Sequence, residues 1–144
     1  RSPCMYMCSV ALHVASLLSI SRPINLLIEL TIEKMTALPV GSLVLFMDGG
    51  GDDGSGGASG WGVCVTVKGG DWEYLGPIEV IDELWGPVVL DATSLHWLGA
   101  HRGTNNSAEL NSAAEALIWL RLEGTDTPAA IIYDSEYAAQ STLR

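Results

Sequence analysis

The sequence predicts an α/β fold in which a mixed β-sheet carries helices on its faces. Three observations lead there. Residues 43–47 (LVLFM) and 130–133 (AIIY) are short apolar runs, as strands buried on both faces should be. Residues 61–67 (WGVCVTV) are rich in Val and Thr and read as one arm of a hairpin. Residues 107–122 repeat Leu110, Ala113, Ala114, Leu117 and Ile118 at helical spacing. A hairpin followed by a helical crossover to another strand implies a mixed sheet.

Taken in order, residues 1–40 differ from the rest and read as a linker or the edge of an upstream segment, helical in part. Residues 9–20 are a 12-residue apolar run containing His13. That is too short to span a bilayer, which takes about 20 residues. A secretory leader has a similar layout, with a basic residue in front, but the linker is the simpler reading. Residues 41–144 form the domain proper. After the strand at 43–47, residues 49–60 hold seven Gly, two Asp and two Ser and read as a loop. Lys68-Gly69-Gly70-Asp71 is a turn, and residues 72–80 read as the partner strand, weakened or bulged at Gly76-Pro77. A third strand is expected within 81–103, after an excursion around 84–87. The helix at 107–122 should stop at Gly124. Residues 125–128 form a loop, 130–133 a strand, and a helix begins at Ser135.

Composition narrows the function classes. The chain has 144 residues, 48% hydrophobic and 17% charged, which suits one domain with a core and excludes a disordered segment. The net charge is −10, the wrong sign for a protein that binds phosphates through Lys and Arg alone. Bound divalent cations reverse the local charge of a carboxylate cluster and offer one way around this. Cys4, Cys8 and Cys64 lack paired zinc spacing and fit free thiols in a reducing compartment, so an intracellular setting, nucleus or cytoplasm, is expected.

Three carboxylates stand at informative places. Asp48 follows one apolar strand and Asp134 another. If those strands are parallel neighbours, both emerge at the sheet edge where open α/β sheets carry their sites. Alone, each is as well explained as a turn former or helix cap. Glu109 lies in the first turn of the helix, at the border of its apolar stripe. It too has a plain account, as the partner of an Asn106 cap. Clustered together, the three would raise one another's pKa unless a cation compensated. Magnesium, with its oxygen ligands, is the natural one.

In combination, LVLFMDGG (43–50), TNNSAEL (104–110) and AAIIYDSEY (129–137) resemble the type 1 ribonuclease H family. The resemblance covers about residues 43–144. It implies a ribonuclease H-like mixed sheet with flanking helices, incomplete at the C-terminus. The implied activity is metal-dependent endonucleolytic hydrolysis of the RNA strand of RNA/DNA hybrids. Two magnesium ions, or manganese in their place, would be held by Asp48, Glu109 and Asp134 as catalytic ligands. One ion would activate water and the other would stabilise the leaving 3′ oxygen. Asn105 and Asn106 match the polar pair that touches the hybrid in the minor groove. Arg102 and Thr104 match positions that hold a DNA phosphate, and Gly49 to Gly51 lie where backbone approaches the RNA.

The departures are specific. Asp52 and Asp53 add negative charge, residues 81–100 look inserted, and the family's fourth carboxylate would fall beyond Arg144. The chain begins with Arg1 and ends in a helical stretch, so it reads as a fragment, inactive or nearly so by itself. Family members stand alone or follow a retroelement reverse transcriptase. The partners expected are therefore the hybrid and a covalently linked polymerase domain, with no membrane. The alternative is a non-catalytic ribonuclease H-like module of a polymerase polyprotein, binding nucleic acid or packing structurally. A third reading, a calcium- or protein-binding acidic domain, is weakened because residues 48–60 miss the EF-hand spacing. Trp61, Trp72 and Trp97 should pack on the hairpin and sheet, His96 and His101 should be exposed or hydrogen-bonded, and Trp119 should lie away from the apolar stripe.

Overall fold

The computed structural model describes residues 26–27, 38–51, 58–70, 78–124 and 126–133. Strands β1 (Leu26–Leu27), β2 (Leu43–Gly51), β3 (Ser59–Lys68), β4 (Ile78–Pro87) and β5 (Ala129–Ile132) accompany one helix, α1 (Asn105–Leu122). The strands form one mixed sheet in the order β1-β5-β2-β3-β4. β2, β3 and β4 run as an antiparallel meander, while β5 lies parallel to β2 and β1 parallel to β5. The fold is α/β, and the strands bearing residues 43–47 and 130–132 are parallel neighbours.

Alternation along β2 sorts its side chains. Leu43, Leu45 and Met47 join Val63, Val65, Ala129 and Ile131 in the core against α1. The helix meets this layer with Ala113, Ala114, Ala116, Leu117 and Leu120, and its small residues let it sit close. The expected apolar stripe is rotated slightly, since Leu110 and Ile118 are only partly buried while Asn111 and Ser112 are buried. Those two polar side chains satisfy themselves within the helix. Asn111 Nδ2 donates to the Ser107 carbonyl at 2.7 Å, and Ser112 Oγ to the Glu109 carbonyl at 2.7 Å.

Several boundaries differ from the expected ones. β2 continues through Asp48 to Gly51, because its glycines pair with 59–61 across the ladder instead of looping away. The partner of β3 is Ile78–Pro87 rather than residues 72–80, of which 72–77 lie outside the described residues. Residues 81–87 are therefore part of this strand, and among the described residues no further strand follows before α1. Gly86, next to last in this strand, packs against the Trp61 indole, where a Cβ would lie 3.2 Å from the ring, and Trp61 Nε1 donates to the Pro87 carbonyl at 3.2 Å. The Val65/Thr66 bulge leaves Ile81 without a partner in the register.

The helix ends are cleanly made. Thr104, not Asn106, is the N-cap, and it forms a reciprocal capping box with Ser107. At the other end Glu123 caps the helix, and a Cβ on Gly124 would meet the Leu120 carbonyl oxygen at 2.4 Å. Trp119 is half-buried against the core and donates through Nε1 to Asp82 Oδ2 at 2.7 Å, tying α1 to β4. The expected helix from Ser135 and residue Trp72 lie outside the described residues. Among those described, no helix is long and apolar enough to cross a membrane.

Candidate functional site at the end of the central strand

β2 and α1 touch backbone to backbone. A Cβ on Gly49 would lie 2.3 Å from the Glu109 nitrogen and 2.4 Å from the Ala108 carbonyl carbon, so only glycine fits there. Gly51 is similarly close to Ser59 and to the backbone at Thr104. The strand end carrying Asp48 is thus pressed against the first turn of the helix carrying Glu109. Two of the three expected carboxylates are brought to one end of the central strand. Asp134 lies outside the described residues.

The two described carboxylates are in unlike surroundings. Glu109 is 7% exposed. Its Oε1 accepts from Asn105 Nδ2 at 2.8 Å, while its Oε2 is buried with no hydrogen-bond partner. A buried carboxylate oxygen without a partner is costly and is the kind of atom a cation satisfies. Asp48 is exposed, with Oδ1 accepting from the Gly49 nitrogen at 2.7 Å. Alternation carries its side chain to the sheet face opposite α1, where it lines a groove with Phe46, Gly50, Gly62, Cys64 and Trp85. Among the described residues, no three His, Cys, Asp or Glu side chains gather to hold a metal ion.

The nucleic-acid candidates divide the same way. Asn106 and Arg102 are exposed, and Gly50 is exposed with open space where a Cβ would be. Thr104 is occupied as the cap, its Oγ1 accepting from the Ser107 nitrogen at 3.2 Å. Asn105 is half-buried and holds Glu109. Gly49 serves the helix contact, with the backbone of Ala108 and Glu109 packed against it. The segment before α1 is fixed by Ser107 Oγ donating to the Arg102 carbonyl at 2.7 Å and by Trp97 Nε1 donating to the Ala100 carbonyl at 2.8 Å. His101 is exposed, its ring edge-on to Trp97 at 5.4 Å, and His96 is exposed as well. Further along α1, burial pushes the half-buried Glu115 carboxyl up, an effect opposed by His96.

Sequence reasoning missed Asn105 as the side chain that positions Glu109. The signal was present, because residues four apart on a helix face one another. It also missed the groove, because Phe46 in an unbroken apolar run implied a strand covered on both faces.

Compared with known proteins, the chain matches no family model, no curated protein and no solved structure.

Proposed function

We propose that this chain is a ribonuclease H-like domain that binds divalent cations through Asp48, Glu109 and Asp134 and acts on the RNA strand of RNA/DNA hybrids. The observation that carries the reading is the buried, partnerless Oε2 of Glu109 at the end of the strand that bears Asp48. The register adds support. Phe46 pairs with Ile132, and in sequence Asp48 and Asp134 each follow these partners by two residues.

Each residue has a defined task on this reading. Asn105 holds one oxygen of Glu109 and leaves the other for a cation. Gly49 fixes how near the carboxylates can come. Exposed Asn106 offers an amide that can both donate to and accept from a 2′-hydroxyl, the group that distinguishes RNA from DNA. Exposed Arg102 offers a phosphate contact. Magnesium, or manganese in its place, supplies the activation of water and the neutralisation of the leaving oxygen.

The non-catalytic module is the second reading. It is favoured by the side chain of Asp48 leaving the sheet on the face away from α1.

Mn2+ titration followed by electron paramagnetic resonance tests the metal site. Binding lost in Asp48→Asn and in Glu109→Gln is expected, and a chain that binds no Mn2+ overturns the reading. Incubation of a labelled hybrid with magnesium then separates the two versions. Cutting of the RNA strand alone, abolished by Asp48→Asn, marks an enzyme, while hybrid binding without cutting marks the module.

A further inference from the structure

β4 is the outer strand of the sheet, and among the described residues no strand flanks its far side. Val88 N donates to the Ser59 carbonyl at 2.9 Å, so the backbone of Val88 faces β3. Alternation then turns the N–H and C=O groups of Glu83 and Trp85 outward. In keeping with this, the Glu83 N–H donates to the neighbouring Asp82 Oδ1 at 2.9 Å and not to the ladder. Outward groups of this kind are a template for another strand. Apolar side chains stand beside them, with Val80 52%, Ile81 45% and Trp85 82% exposed. The bulge at Ile81 interrupts the edge, so the stretch that a strand can follow is Asp82 to Pro87.

We propose that this edge accepts an extended segment of a partner protein, added to the sheet as a further strand, in which basic residues alternate with apolar ones. Charge selects the occupant. β4 carries Glu79, Asp82 and Glu83 and no Lys, Arg or His. The groove beside it holds Asp48 and Glu83 and no basic residue. A second copy of β4 would set these acids against their own kind, which disfavours self-pairing. A nucleic-acid strand brings phosphates to the same acids. Alternation selects the order of side chains. On the groove face Glu83 and Trp85 stand two residues apart, so a Lys or Arg of the added strand lies over the Trp85 ring with its charge beside Glu83. On the other face the neighbour is Leu84, which packs against the core, and an apolar side chain extends that layer.

The added strand lies outside β4, whereas Asp48 stands on β2 with β3 between them, about 10 Å inward by strand spacing. Asp48 therefore stays open, whether or not the chain hydrolyses RNA.

Fluorescence anisotropy of a labelled peptide, in which lysine and valine alternate, tests this on the full chain. A second peptide has the same side chains and charge but a methyl on every backbone nitrogen, so it cannot donate to a strand. The first peptide should bind, and backbone methylation, Trp85→Ala and Glu83→Lys should each weaken it at least about tenfold. Asp126→Lys, which makes the same charge change at an exposed position on the loop before β5, should leave the affinity unchanged. Trp85 and Glu83 are both exposed, circular dichroism checks the fold of each variant, and the methylated peptide makes its test on the unaltered protein. No binding at about 1 mM peptide overturns the proposal. So does equal binding of the methylated peptide, or an equal loss in Asp126→Lys, either of which marks attraction to net charge alone. Unaltered affinity in both Trp85→Ala and Glu83→Lys overturns it as well, because the peptide then sits elsewhere.

Discussion

The two faces of the sheet are built from the same strands yet hold different things. Toward α1, Leu45 is fully buried and its neighbours close a core of Val, Leu and Ala. One residue along the strand, Phe46 faces the groove and keeps partial access to water. The difference shows where stability and recognition reside. The helix face supplies the apolar burial that holds the fold together. The groove face contributes less to the described core and is correspondingly available for contact.

Adjacent substitutions break this contrast most sharply. Leu45→Ala should destabilise the chain by about 2–5 kcal/mol in urea unfolding, because it leaves a cavity in the packed face. Phe46→Ala, one position away, should cost distinctly less, and equal costs would mean that both faces are closed to the same degree. Gly49→Ala tests the seam between β2 and α1. The new methyl cannot fit against the backbone at Glu109, so a loss of about 1–3 kcal/mol is expected, together with weaker Mn2+ binding.

The smallest effect concerns pH. Burial pushes the Glu115 carboxyl up, so the folded chain holds that proton more tightly than the unfolded chain. This stabilisation is complete below the ordinary value of 4.5 and is lost as pH rises through the raised value. Glu115→Gln should remove that downward slope. The change should be slight because the group is only half-buried and solvent screens it.

Much of the helix face was legible from residue order. The run at 43–47, the strand near 130–133 and the helix to Leu122 all lie where apolar spacing put them. The cap was misassigned for a clear reason. Thr104/Ser107 and Asn106/Glu109 have the same three-residue spacing, and the second pair has the customary acid. The structure uses the first, which leaves Glu109 available for Asn105. β4 was displaced because Gly76-Pro77 and Gly86-Pro87 look alike as punctuation. Only packing shows that the second pair sits at the end of a strand under Trp61. For the candidate site, sequence could place Asp48 and Glu109 at a strand end and a helix start. It could not reveal that alternation sends Asp48 to the far side of the sheet, because that depends on where along the strand the helix crosses.

The parallel pairing of β2 with β5 has a consequence for how the chain assembles. Leu43 meets Ala129 only after the meander and the whole of α1 have been traversed. The meander of β2, β3 and β4 relies on neighbours in sequence and can form early. One edge of its first strand must then wait for a segment far downstream. Pairings of such long separation are entropically slow to close. During synthesis, β2 therefore passes through an interval as an unsatisfied edge, open to pairing with another chain, until Ala129–Ile132 arrives to fill it.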